Sequence, residues 1–413
     1  MSSPIRVLYI DGVGPFGGAS RSLFEVMRAM SDVSVERYFL IQKGSIGAFY
    51  GQLARGVVAV RGLSRFDNTR ASYYRGKRWI VVLRELFHFP FTVLGLLAAR
   101  RKFPKIDVIH ANEITEIIPG LLAKWLFKVP LVIHARSLQR TDKLSRRVRW
   151  YHRVLQEHVD AVVAIDENVR QTLPAELNVD VIHNSFTPKY SAELDEAYLK
   201  PLSRLRKSAL VVGFVGNLHK HKGLLELCQA ARLVKDMGGD VQYLVVGGGT
   251  MATGGVVHRV LQLLGLAENV GDDLAILVAS MGLADDFLLL GHTADIQRVY
   301  ERMDVLAFPS HFDAAGRPVF EAAFSGVPSI VAVADPRPDT VRHGVAAIAI
   351  PSPTPVAIAD AIMTFERDRE RTRRMGRAAL ALAQENFVPA VNAAKLLMVY
   401  NRVLGAARTI EGK

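Results

Sequence analysis

Two stretches of this chain share one construction. Residues 5–30, "IRVLYIDGVGPFGGASRSLFEVMRAM", and residues 209–234, "ALVVGFVGNLHKHKGLLELCQAARLV", each run from an apolar strand through a glycine turn into an amphipathic helix. Further apolar runs of strand length follow each opening: "VVAV", "IDVIHA", "PLVIHA", "DAVVAI" and "VDVIHN" after the first, "VQYLVVGGG", "DFLLLG", "DVLAFPS", "PSIVAV" and "AAIAI" after the second. Helical patterns separate several of these runs, so strands alternate with helices. That is the signature of parallel sheets covered on both faces. A chain of 413 residues also exceeds one ordinary core, so two such domains of about 200 residues each are expected. The polar stretch around Pro188 and Pro201 sets the boundaries. They are a first domain over 1–190, a linker over 191–207 and a second domain over 208–390, with a helix near 390–413 packing back on the first.

The first glycine turn spells G-x-G-x-x-G through Gly12, Gly14 and Gly17. Three readings fit it: a dinucleotide site, a site for another phosphate, or a tight turn without a ligand. A dinucleotide site requires a carboxylate at the end of the second strand to hold the ribose. Here "ERYFLIQKG" ends in Gln42, Lys43 and Gly44. The glycines also run on into Gly18, so the helix is expected to open near Ser20, one turn later than that motif requires.

Net charge is +12, and residues 1–205 carry 30 Lys and Arg against 19 Asp and Glu, nearly all of the excess. Between Arg70 and Lys105 nine basic residues face Glu85 alone, interleaved with the apolar run "WIVVLRELFHFPFTVLGLLAAR". Arg84, Glu85 and His88 interrupt that run and Pro90 is expected to break it, so no spanning helix is anticipated. A second basic run extends from Arg136 to Arg153. Solvated helix faces explain both runs, and so does docking of residues 70–105 on anionic lipid headgroups. Nucleic acid is not expected, since no nucleic-acid module accompanies the charge. "MSSPIRVLYI" enters a strand directly without a leader-like segment, and the one cysteine, Cys228, sits in a helical apolar pattern as a core residue. A cytoplasmic protein, peripheral on the inner face of the cell membrane, is the expectation.

Chemistry concentrates in residues 304–332, "DVLAFPSHFDAAGRPVFEAAFSGVPSIVA". A strand leads to a loop carrying Asp313; a helix then begins near Gly316, with Pro318 in its first turn, Glu321 just inside, and Gly326 and Pro328 closing it. Helix N–H groups suit a phosphate and carboxylates suit hydroxyls. A cap at Asp313 and a dipole complement at Glu321 would account for the same residues.

This segment resembles the E-x7-E signature of the retaining glycosyltransferases of family four, which have the GT-B fold: Asp313 and Glu321 keep its spacing, and "EAAFSGVPSIVA" follows as the family pattern does. The resemblance runs along nearly the whole chain, through "GGASRSL", "DVIHAN", "PLVIHARS", "VIHNSF" and "GFVGNLHKHKG". It implies two Rossmann-like doubly wound domains facing across a cleft, and transfer of a sugar from a nucleoside-diphosphate sugar to a glycan or lipid-linked saccharide acceptor. It further implies that Gly17 and Gly18 admit the donor pyrophosphate, that His134 lies at the reacting sugar, and that Lys222 neutralises the leaving diphosphate. Gly216 and Asn217 would line the nucleotide side. Asp313 would bind sugar hydroxyls, Glu321 the ribose, and the backbone at Gly316 and Arg317 the phosphate. The chain departs from the family at two positions: Asn217 stands where arginine is common, with Lys220 or Arg317 as substitutes, and Asp313 replaces glutamate. No D-x-D pair occurs, so no metal or other cofactor is expected. Alternatives on the same scaffold are a sugar-nucleotide epimerase or hydrolase and a catalytically weak binding member. Residues 250–280 exceed a minimal connection and suggest no role.

Overall fold

The computed structural model describes residues 3–70, 74, 81–190, 200–248, 270–293 and 295–411. Expectations for 191–199, for 249–269 and for most of 71–80 therefore fall outside the described residues. The chain divides into two compact units, Met1–Thr187 with Phe387–Lys413, and Pro188–Asn386.

The first unit contains β1 (Ile5–Asp11), β2 (Val35–Gln42), β3 (Gly56–Val60), β4 (Val108–Ala111), β5 (Leu131–Ala135), β6 (Ala161–Ala164) and β7 (Val179–Val181). They form one parallel sheet in the order β3-β2-β1-β4-β5-β6-β7. Its helices are α1 (Gly18–Ala29), α2 (Ile46–Tyr50), α3 (Val81–Lys102), α4 (Ile117–Phe127), α5 (Arg146–His158) and α6 (Glu167–Arg170). Successive strand residues point to opposite faces, so Leu8 and Ile10 enter one apolar cluster while Val7 and Tyr9 enter another. Burial on both faces is why these strands are mostly apolar on both faces.

The second unit repeats the plan. Strands β8 (Leu210–Val215), β9 (Val241–Val246), β10 (Phe287–Gly291), β11 (Val305–Phe308), β12 (Ser329–Ala332) and β13 (Ala347–Ile350) pair in parallel in the order β10-β9-β8-β11-β12-β13. Helices α7 (Leu224–Asp236), α8 (Val270–Ser280), α9 (Ile296–Tyr300), α10 (Arg317–Ala323), α11 (Pro355–Arg367) and α12 (Arg369–Asn386) accompany them. Every strand anticipated from the sequence is present, and Cys228 is buried in α7, its thiol pushed up to about 11 by desolvation.

A last helix, α13 (Pro389–Glu411), returns to the first unit. Leu396, Val399, Tyr400 and Val403 join the cluster around Val7 and Tyr9. The Tyr400 hydroxyl lies 2.6 Å from His110 Nδ1 and donates to the Tyr9 hydroxyl at 3.2 Å, while Asn392 Nδ2 donates to Ser185 Oγ at 3.0 Å. Burial holds His110 down at about 3, so its ring is neutral.

Two expectations are corrected. Helix α1 opens at Gly18 with Gly17 as its N-cap, not at Ser20. Pro90 does not break the apolar run: α3 continues through it for 22 residues, and it is the one helix among the described residues long and apolar enough to cross a membrane. Pro90 sits on the exposed face, where water can satisfy the carbonyl that its missing N–H leaves unpaired.

The turn after β8 depends on Gly223. Its φ is +76°, and a Cβ there would stand 1.9 Å from the Pro309 carbonyl oxygen. Gly223→Ala is expected to destabilise the second unit by about 2 kcal/mol or more, read as a lower denaturant midpoint.

Candidate functional site

In a doubly wound sheet the connections leave a central pair of strands in opposite directions, and the loops beyond their carboxyl ends separate there. That point lies between β1 and β4 in the first unit and between β8 and β11 in the second. The sequence-predicted site residues lie at these two places, except His134, which is on the neighbouring β5.

In the first unit Asp11, at the end of β1, is buried and accepts four hydrogen bonds: from Ser20 Oγ at 2.9 Å, the Tyr50 hydroxyl at 2.8 Å, Asn112 Nδ2 at 2.8 Å and the Val13 N–H at 3.1 Å. It ties α1, α2 and β4 to the glycine loop. Burial first, and then the Asp11 carboxylate, push the Tyr50 hydroxyl well above its usual range. The Gly12 peptide is held from both sides, its N–H donating to Glu116 Oε1 and its carbonyl accepting from the Arg65 guanidinium. Glu116 is fully buried, and its Oε2 has no hydrogen-bond partner among the described residues. Desolvation, then repulsion from Asp11, raise its carboxyl well above the ordinary 4.5.

His134, at the end of β5, is buried, with Nδ1 3.2 Å from Arg136 Nη2. A guanidinium only donates, so Nδ1 is the acceptor and the ring proton is on Nε2. Burial, then the charge of Arg136 and the nearness of His110, hold the ring well below its usual pKa against a smaller opposing pull from the Ile182 backbone. The ring is therefore neutral. Arg136 also donates to Asn112 O and Oδ1, both at 3.0 Å, and to Asn184 Oδ1 at 2.8 Å. It is a strut of this network and leaves the surface run in which the sequence placed it. Gly17 and Gly18 border open space: a Cβ at Gly18 would meet nothing within 4 Å.

In the second unit the turn after β8 and the loop after β11 are sewn together. The His311 N–H donates to the His221 carbonyl at 3.0 Å, His311 Nε2 lies 2.9 Å from Glu226 Oε1, and the His221 and Phe312 rings meet at 4.5 Å. Lys222 ends a short turn, its ammonium 5.3 Å from the Phe308 ring centre and 5.6 Å from that of Phe312. Desolvation lowers its pKa. Asp313 has a φ of +55°, a left-handed conformation that Asp tolerates, and its Oδ1 accepts the Ala334 N–H at 2.8 Å. Glu321 is buried in α10; its Oε1 pairs with Arg317 and its Oε2 accepts from the Tyr300 hydroxyl at 3.0 Å. Arg317 thus neutralises Glu321, whereas Asn217 and Lys220 are exposed and Gly216 has no atom near an added Cβ. Helix α10 is capped by Gly316 and has seven residues.

Asp11, Tyr50, Arg65, Glu113, Glu116 and Asn184 were not anticipated from the sequence. One signal was available: Glu113 and Glu116 interrupt the otherwise apolar "IHANEITEIIPGLL" just after a buried strand.

Comparison with known proteins follows this geometry. Residues 16–189 match the family model described as glycosyltransferase family 4, and residues 199–381 that of glycosyl transferases group 1. The D-inositol 3-phosphate glycosyltransferase of Mycolicibacterium gilvum is 26% identical over 265 residues, covering 59% of this chain and 55% of that protein. The UDP-Gal:alpha-D-GlcNAc-diphosphoundecaprenol alpha-1,3-galactosyltransferase of Escherichia coli is 24% identical over 244 residues, covering 56% and 58%. The chain thus spans little more than half the length of these curated relatives. Among solved structures, Anabaena Alr3699/HepE in complex with UDP superposes with a TM-score of 0.71 at 20% identity, covering 96% of this chain and all of that one. Sucrose-phosphate synthase from Thermosynechococcus elongatus gives 0.71 at 17%, covering 97% and 100%. At these identities the structures establish the fold.

The Glu116 proton has a measurable consequence. The folded state holds it to higher pH than the unfolded chain does, so stability is fully present below about 4.5 and falls as pH rises through the folded-state value. Glu116→Gln is expected to flatten that decline in a pH series of unfolding midpoints. Glu116→Ala, which leaves the Gly12 N–H buried and unpaired, is expected to cost about 1–3 kcal/mol.

Proposed function

The chain belongs to the glycosyltransferases of family 4, with their GT-B fold, and from that membership we propose that it moves a sugar from a nucleoside-diphosphate sugar to a glycan or lipid-linked saccharide acceptor, with retention and without a metal. The observation that carries the reading is the placement of Lys222 after β8 and of Glu321 in the helix after β11. A cation suited to a diphosphate and a buried carboxylate suited to a ribose follow adjacent strands at the switch point. The second unit takes the nucleotide. Lys222 stands against the leaving diphosphate, whose charge restores the affinity for its proton that burial weakens. Glu321 exchanges its contact with Arg317 for the ribose hydroxyls, which frees the guanidinium for phosphate. Asp313, whose Oδ1 is fixed by the Ala334 N–H, meets the donor-sugar hydroxyls. Alr3699/HepE was crystallised with UDP and with UDP-glucose, which supports a uridine nucleotide as the first donor to try.

Retention is supported by the state of the first unit's side chains. His134 is neutral with its Nδ1 occupied, burial raises the Glu116 carboxyl and its Oε1 is held by the Gly12 N–H, and Asp11 accepts four hydrogen bonds. Both oxygens of Glu113 also accept hydrogen bonds, from the N–H groups of Ile114 and Arg136 and from Ser137 Oγ. None of these groups is poised as a general base. The acceptor's proton then passes to the departing phosphate: the bond from the anomeric carbon to phosphate oxygen breaks, and the bond to the acceptor oxygen forms on the same face. The Nε2–H of His134 donates to the reacting sugar, and Gly17 and Gly18 leave room for the pyrophosphate.

With a radiolabelled nucleotide sugar, transfer to an added saccharide acceptor is expected to persist in EDTA. Lys222→Ala and Glu321→Ala are each expected to lower kcat/KM by about a hundredfold or more. Release of free sugar without transfer, or unchanged activity in both variants, would refute the assignment.

A further inference from the structure

Helix α3 is inverted relative to an ordinary surface helix. Its inward face carries Glu85, Thr92, Gly95, Leu96 and Ala99, whereas Leu83, Leu86, Phe87, Pro90, Leu94 and Leu97, spaced at three and four residues, form one exposed ridge along its length. Leu83 and Leu94 are each more than 60% exposed. The inward face is fastened to the body of the first unit. Glu85 Oε2 accepts the Arg65 N–H at 2.7 Å, Thr92 Oγ1 accepts the Ser64 N–H at 2.9 Å, and a Cβ on Gly95 would stand 2.7 Å from Val60. A helix so fastened cannot span a bilayer, despite its length and composition, because only one face is free to meet lipid.

We propose that α3 lies in the plane of an anionic bilayer, with its apolar ridge among the acyl chains and its cations at the headgroups. The charge fits that occupant. The exposed groups Arg84, Arg100, Arg101 and Lys102 flank the ridge, and Arg61 lies over the Phe87 ring at 5.3 Å. The only acid in α3, Glu85, is buried and paired with Arg84. At the far end Arg100 lies over the Phe127 ring at 5.6 Å, which brings the close of α4 alongside, with Trp125 78% exposed and Lys128 just beyond. Exposed tryptophan and lysine at the margin of an apolar surface are the side chains favoured at a membrane interface.

The test is flotation of the full chain with vesicles of phosphatidylcholine containing roughly a third phosphatidylglycerol, against phosphatidylcholine alone. Wild type is expected to float with the anionic vesicles. The double variant L86E/L94E is expected to float about tenfold less or worse, with its melting temperature and its stabilisation by uridine diphosphate unchanged. R100S/R101S, which leaves the ridge intact, is expected to lose the preference for anionic vesicles. Failure of the wild type to float, equal flotation on uncharged vesicles, or unchanged flotation of both variants would overturn the proposal. So would a wild-type dimer that L86E/L94E converts to monomer, since the ridge would then be covered by a second copy. Donor stabilisation is read separately, so either outcome leaves the transferase proposal to its own assay.

Discussion

An all-parallel sheet delivers every strand to the same edge, and the order in which its connections run decides where that edge opens. Both units obey this constraint. Their chemistry-bearing residues lie at the carboxyl ends of β1, β4 and the neighbouring β5, and beyond those of β8 and β11, at or beside the pairs from which the connections diverge. Apolar strands buried on both faces hold those ends still. The loops can then give their length to polar side chains rather than to stability.

What holds the first unit's site in shape is a polar network centred on Asp11 and Arg136. Asp11, Arg136 and Asn112 draw together residues separated by up to a hundred positions, and each hydrogen bond constrains the next. Such a network contributes little net stability compared with apolar packing, but it admits few alternative arrangements. The second unit's site is built differently. There an ammonium rests on two aromatic rings, and a carboxylate is shared between a guanidinium and a phenol.

The strands were legible because their signal is local: four to eight apolar residues ending in glycine, proline or a polar turn. The glycine turns and the Asp313–Glu321 spacing were legible for the same reason. The partners of the first glycine loop were not. Its carboxylate was sought at the end of β2, where a dinucleotide site would place it, and the loop is instead held by Asp11 at the end of β1 and by Glu116, 104 positions from the Gly12 peptide it supports. Only tertiary pairing brings β4 beside β1. Helix α3 escaped for another reason. Proline in a helix interior usually ends it, and the sequence does not tell that Pro90 falls on the face where the lost hydrogen bond costs least.

The return of α13 to the first unit also sets an order of events during synthesis. Residues 389–411 supply Tyr400 to His110 and Asn392 to Ser185, and they emerge from the ribosome only after the whole of the second unit has been made. The unit translated first is thus the one completed last. Through that interval the apolar surface around Val7 and Tyr9 and the imidazole of His110 wait uncovered, a window in which a chaperone would find its substrate.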